Sequence, residues 1–159
     1  MKKLILLILA CSFVLTLASC GEKKVSKGPE NMDIPGTYEK LQEAVAIPEM
    51  LELGEDLMLD YCGIKSETVN QAIVAICADS LRTDEIWLIE AKDASAAEEI
   101  VKLAEKRLQK KGEESITYSP EQYAVVEKAE LIQAGRFVAL LVSPDSAELA
   151  KVFRTEAGI

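Results

Sequence analysis

The sequence holds no histidine. Ser-His-Asp and Cys-His catalysis therefore have no base, and histidine-ligated zinc and iron sites have no ligand. Carboxylates are the acid–base groups left. Asp79, Asp84 and Glu85 gather around one expected turn, and Glu113 and Glu114 follow a long helical stretch. Glycoside cleavage needs two carboxylates across a cleft lined with aromatic platforms. This chain has eight aromatic residues, so a solvated acidic surface explains its carboxylates more simply. A divalent-cation patch lacks any defined ligand spacing, and no Asp-x-Asp-x-Asn-Gly calcium loop occurs. The eight glycines are scattered and form neither GxGxxG nor a Walker loop. No metal and no cofactor is expected. Trp87 sits mid-strand, where a core or sheet-face role is favoured over ligand stacking.

The remaining chemistry is that of cysteine, and the N-terminus sets its context. Met1-Lys2-Lys3 is a short positive stretch, followed by fourteen uncharged residues, Leu4 to Leu17. A membrane-spanning helix needs roughly 20 apolar residues, so this run suits the core of a signal peptide better. Leu17-Ala18-Ser19-Cys20 then resembles the bacterial lipobox, in which small residues precede the cut and the cysteine thiol takes a diacylglycerol. The expectation is a lipoprotein signal peptide over 1–19 and lipid attachment at Cys20, with palmitate-type chains. Two acyl chains anchor a protein stably where one is marginal. The expected location is the extracytoplasmic face of the cell membrane. Cys11 leaves with the signal, and Cys62 and Cys77 remain. In an oxidising compartment they form either a disulfide closing a loop of about 16 residues, worth roughly 3 kcal/mol, or two buried free thiols.

Charge narrows the partners. From Cys20 onward, sixteen basic residues stand against twenty-seven acidic ones, a net charge of −11. No basic stripe is available for phosphates, so nucleic acid is not an expected partner. Residues 21–36, GEKKVSKGPENMDIPG, carry three glycines and two prolines and read as a linker. The tether is 20–36, and one domain is expected over 37–159. Lys23, Lys24 and Lys27 near the lipid can each add roughly 1 kcal/mol of attraction to anionic headgroups, or simply be solvated.

Within the domain, Thr37 is placed to cap a helix carrying Tyr38, Leu41 and Val45, broken by Pro48. Glu55 to Tyr61 is a second short helix, stopped by Gly63. Val69 to Ala78 and Glu85 to Ala91 form a hairpin around Arg82-Thr83-Asp84. Asp93 caps a long helix, Ala94 to Lys111, ended by Gly112. Ser119-Pro120-Glu121-Gln122 starts another helix. Glu130 to Gln133 and Arg136 to Val142 form a second hairpin, whose RFVALLV run is too apolar for a strand with one wet face. Asp145 caps a last helix with Leu149, Val152 and Phe153 inward. The segments 90–101 and 142–153 run alike, from a strand end through an Asp cap into a helix, suggesting a ββα repeat. The expected class is α+β: a two-layer sandwich with a four-stranded, mainly antiparallel sheet and helices on one face.

The lipobox together with PEMLEL (48–53), DYCGI (60–64), DEIWLIEAKD (84–93), KRLQKK (106–111), YSPEQY (118–123) and GRFVALLVS (135–143) resembles an uncharacterised family of small lipoproteins of Gram-positive bacteria, known as a domain of unknown function. Where that family usually shows Tyr-Gly-Ile, this chain inserts Cys62 between Tyr61 and Gly63. The resemblance implies a membrane-anchored exported protein and carries no catalytic residue.

The leading expectation is a non-enzymatic interaction module at the cell envelope, bound to the membrane through Cys20 and to an unknown envelope protein. Its surface is expected at the uncovered sheet face or at Tyr118, Pro120 and Tyr123. The alternatives are a solute- or peptide-binding lipoprotein and, behind it, a carboxylate-dependent hydrolase.

Overall fold

The structure is a computed structural model and describes residues 28–159. The expected signal peptide (1–19), the expected lipid-attachment residue Cys20 and most of the expected tether lie outside the described residues. Helix α1 (Ile34–Ala44), strand β1 (Met50–Glu52) and helix α2 (Glu55–Cys62) lead into the hairpin β2 (Val69–Cys77) and β3 (Glu85–Ala91). Helices α3 (Ala94–Tyr118) and α4 (Pro120–Glu127) follow, then the hairpin β4 (Glu130–Ala134) and β5 (Phe137–Val142), and helix α5 (Ser146–Ala157).

The class is α+β with an antiparallel sheet, as expected, but the sheet has five strands in the order β1-β2-β3-β5-β4. The fifth strand, β1, is three residues long and pairs Met50 with Cys77 and Glu52 with Ala75. A run that short carries no alternation for a sequence reading to detect.

A second correction concerns the layers, since helices cover both sheet faces. On one face Ile86, Leu88, Phe137, Ala139 and Leu141 pack against Ile34, Tyr38 and Leu41 of α1 and Leu149 and Phe153 of α5. On the other, Trp87, Ile89, Val138, Leu140 and Val142 pack against Met58 and Cys62 of α2, Ala97, Ile100 and Ala104 of α3, and Val126 of α4. Strand β5 is buried at every position, which requires cover on both sides. The order β-β-α does recur, but α3 and α5 lie on opposite faces, so the repeat is one of sequence order and not of symmetry.

Three local features differ from expectation. Helix α1 is capped by Asp33, whose Oδ1 accepts from Gly36 N at 3.1 Å. Thr37 lies inside the first turn, where its hydroxyl donates back to Asp33 O at 2.6 Å. Met32 and Ile34 are buried, so packing begins ahead of Thr37. Helix α3 runs through Gly112 to Tyr118, which puts Glu113 and Glu114 on a helix. A helix-interior glycine costs about 1 kcal/mol; the buried Lys111 beside it ties the helix to β3 through Glu85, and Ser115 Oγ donates back to Lys111 O at 2.7 Å.

The chain enters the domain over the β4–β5 turn. Gly135 there has φ 60°, the glycine position of a type II′ hairpin. Gly28 lies against it so closely that a Cβ would overlap the Ala134 carbonyl. Arg136 Nη2 donates to Glu30 O at 2.7 Å and pairs with Glu90 at 2.8 Å. Residues 28–32 thus form a strap across one end of the sheet.

Candidate functional site

The opposite end of the sheet holds a buried charge cluster. Glu85 opens β3 in phase with Trp87 and Ile89, so its side chain points to the α3 face. On α3, Arg107 and Lys111 continue the stripe of Ala97, Ile100 and Ala104 at helical spacing. The apolar stripe therefore turns basic where the strand turns acidic.

Glu85 is 0% exposed. Arg107 grips it side-on, with Nε 3.0 Å from Oε1 and Nη2 2.8 Å from Oε2. Lys111 Nζ lies 2.8 Å from Oε2 and also donates to Thr83 O at 2.9 Å. Trp87 Nε1 donates to Oε1 at 2.7 Å. Burial by itself pushes the Glu85 carboxyl up, but the Arg107 hydrogen bonds and the charges of Lys111 and Arg107 outweigh it and hold the group below the usual carboxylate range. For Arg107, burial opposes the charge and Glu85 restores it, leaving the guanidinium more firmly protonated than usual.

Above this cluster lies a cleft of about 760 Å³, walled by the end of β2, residues 80–84 of the β2–β3 connection, the C-terminal half of α3 and the start of α4. Arg82 and Asp84 pair across the connection, Nε to Oδ2 at 3.0 Å. Gln122 fixes that connection to α4. Its Oε1 accepts from Thr83 N at 2.8 Å and Thr83 Oγ1 at 3.0 Å. Ser119 caps α4 as expected, accepting from Gln122 N, while the Gln122 side chain serves Thr83 and not the cap. Two large apolar side chains stand open on the rim, Leu81 at 82% and Tyr118 at 86% exposure.

Tyr118 is the one expected contact residue found at the cleft. Pro120 is exposed at the first turn of α4, and Tyr123 faces a second groove between α3 and α4 with Gly112 and Ile116. Tyr118 and Tyr123 thus address different hollows. Of the clustered carboxylates, Asp79 accepts from Leu81 N at 2.9 Å, Asp84 is held by Arg82, and Glu85 is buried. Cys62 and Cys77 are free, buried thiols. Cys62 packs with Val74 and Trp87 on the α3 face, while alternation along β2 puts Cys77 in phase with Ala75, which faces α1 and α5. Cys77 also lines the cleft wall. Among the described residues no group of three or more cysteine or carboxylate side chains is placed to hold a metal ion, and no helix is long and apolar enough to cross a membrane.

Arg107, Lys111, Thr83, Gln122 and Leu81 were not singled out by sequence. The available signal was the helical register that carries Ala97, Ile100 and Ala104 into Arg107 and Lys111, opposite a glutamate in phase with Trp87.

No curated protein and no solved structure matches this chain. Residues 43–143, which include β1 through β5 and most of the cleft's framework, match the family described as Domain of unknown function (DUF4358), and the chain belongs to that family.

Proposed function

We propose that this chain is a non-catalytic binding domain, tethered to the outer face of the cell membrane through a diacylglycerol on Cys20, whose cleft receives part of an envelope protein. The composition of the cleft carries the reading. Its two buried carboxylates are both neutralised, Asp84 by Arg82 and Glu85 by Arg107 and Lys111. A general acid needs its pKa raised toward the working pH, and Glu85 is shifted the other way. Leu81 and Tyr118 meanwhile present an aliphatic and an aromatic anchor on the rim, and aromatic anchors dominate protein–protein recognition. The tether rests on the Lys2-Lys3 start, the uncharged run and Leu17-Ala18-Ser19-Cys20. A small-solute role is the second reading, favoured by a cleft volume inside the range of roughly 300–1,000 Å³ typical of ligand sites.

The test is site-specific photo-crosslinking in intact cells. A photoreactive residue replaces Tyr118 in the anchored chain, and Glu39, exposed on α1, serves as the control position. One crosslinked protein should form from position 118, fail to form from 39, and diminish when Cys20→Ala removes the lipid site. Equal labelling from both positions, or none from 118, would reject a partner at the cleft.

A further inference from the structure

We infer that the ligand of this cleft presents a carboxylate, taken by the outer edge of Arg107 and by Lys111, with an adjoining apolar group against Leu81 and Tyr118. The inference rests on the reading of the cleft as a binding site and names the chemistry it selects.

The argument is a count of charges and donors. Two cations flank one anion: the Arg107 and Lys111 side chains are 13% and 10% exposed, and Glu85 is fully buried between them. The cluster therefore holds one uncompensated positive charge in a largely dehydrated place, which is unfavourable without a further anion. Neighbouring acids do not supply it. Asp84 is matched by Arg82; Glu114 also lines the cleft and its charge favours protonated Arg107, but its side chain is 56% exposed, screened by water and shared with Lys110 at 3.8 Å.

Donor geometry agrees. Glu85 occupies Nε and Nη2 of Arg107, the side edge of the guanidinium. The Nη1–Nη2 edge has the fork geometry that a second carboxylate matches. Lys111 spends two of its three ammonium protons, on Glu85 and on Thr83 O. Both residues line the cleft, as do Leu81 and Tyr118. In a chain of net charge −9, this is a positive spot beside two apolar anchors.

A peptide C-terminus or an acidic side chain next to an apolar residue supplies the same chemistry, and the probes distinguish them. Three short acetylated peptides ending in leucine are titrated into the mature lipidated chain in detergent micelles. One ends in a free carboxylate, one is amidated, and one is amidated with glutamate before the leucine. Binding is read from Trp87, the one tryptophan, whose indole is bonded to Glu85. At least one carboxylate peptide should bind about tenfold or more tighter than the plain amide, the fold-change of one charge-assisted hydrogen bond. Arg107→Lys keeps the charge on Glu85 but loses the fork, and should remove that preference. Should Arg107→Lys fail to fold, Leu81→Glu, at an exposed position, should weaken the carboxylate peptides more than the amide.

Equal binding of all three peptides overturns the carboxylate requirement while leaving a binding cleft. No binding by any of them overturns the inference too, and crosslinking from position 118 then decides the broader reading separately.

Discussion

Glu85→Gln removes one charge and almost no volume, which isolates the electrostatics of the cluster. The carboxylate now serves Arg107, Lys111 and the Trp87 indole at 2.7–2.8 Å. A glutamine keeps one acceptor oxygen and turns an amide NH₂ toward a cation. Removing one partner of a buried ion pair costs about 3–5 kcal/mol. Arg107 and Lys111 line the cleft and can turn partly outward, so the lower half of that range applies, about 3–4 kcal/mol. For a domain of this size that lowers Tm by about 10–15 °C. Replacing Glu85, Arg107 and Lys111 together by apolar residues of similar volume should recover most of the loss. The assay is urea unfolding followed by far-UV circular dichroism, because the substitution itself alters the hydrogen bond that tunes Trp87 emission. The pH dependence has a definite sign. Glu85 has a folded pKa below its unfolded one, so its stabilisation is present above the ordinary carboxylate pKa and disappears as pH falls through the folded value. The gap between the two proteins should be full at neutral pH and close in acid. A neutral-pH loss below about 1 kcal/mol would refute the cluster as a stabilising feature, as would a gap that does not change with pH.

Two further outcomes can be checked on the same preparations. Gly28→Ala should lift the strap from the β4–β5 turn, because the new Cβ overlaps the Ala134 carbonyl; faster hydrogen exchange over residues 28–33 and a loss of about 1–2 kcal/mol are expected, and unchanged exchange would refute the close approach. Burial, with Glu85 nearby, pushes the Cys62 thiol up to about 12, so the folded chain favours the protonated form and loses stability as pH rises from the ordinary thiol value toward 12. At neutral pH Cys62 should stay unlabelled in the native state while Cys77 on the cleft wall labels first, and alkylation after unfolding without reductant should modify both; a crosslinked 62–77 peptide in the map would refute this.

Much of the architecture was legible because alternation and capping are local. The strand Glu85–Ala91, the Asp93 and Ser119 caps and the Gly63 stop follow from side chains within a few residues of one another. The second helical layer was less visible, although RFVALLV already required cover on both faces. The cleft was hardest to see because its members are far apart in sequence. Thr83 meets Gln122 thirty-nine positions on, and Glu85 meets Arg107 twenty-two positions on. Gly112 also hid the register, since a helix stopped there would place Lys111 at its end and leave Ser115 and Tyr118 in a loop. Tyr118, Pro120 and Tyr123 are close in sequence, but Tyr118 and Tyr123 address different hollows because α3 ends between them and α4 begins at Pro120.

The strap at Gly28–Met32 also decides which way the domain hangs. It crosses the sheet beside Glu90 and Phe137, whereas the cleft begins at Glu85, where β3 pairs with Val142. Along β3 these ends lie about 17 Å apart. For a chain anchored at Cys20, seven residues separate it from Gly28, eight Cα–Cα steps and a leash of at most about 29 Å. On the proposed reading, that leash would join the end of the sheet remote from the cleft and leave the cleft end facing away from the bilayer, like the free end of a buoy. A ligand of the proposed kind would then reach the cleft from above the bilayer, as a projecting loop, a released peptide or the domain of a neighbour would, and not as a segment lying flat in the membrane.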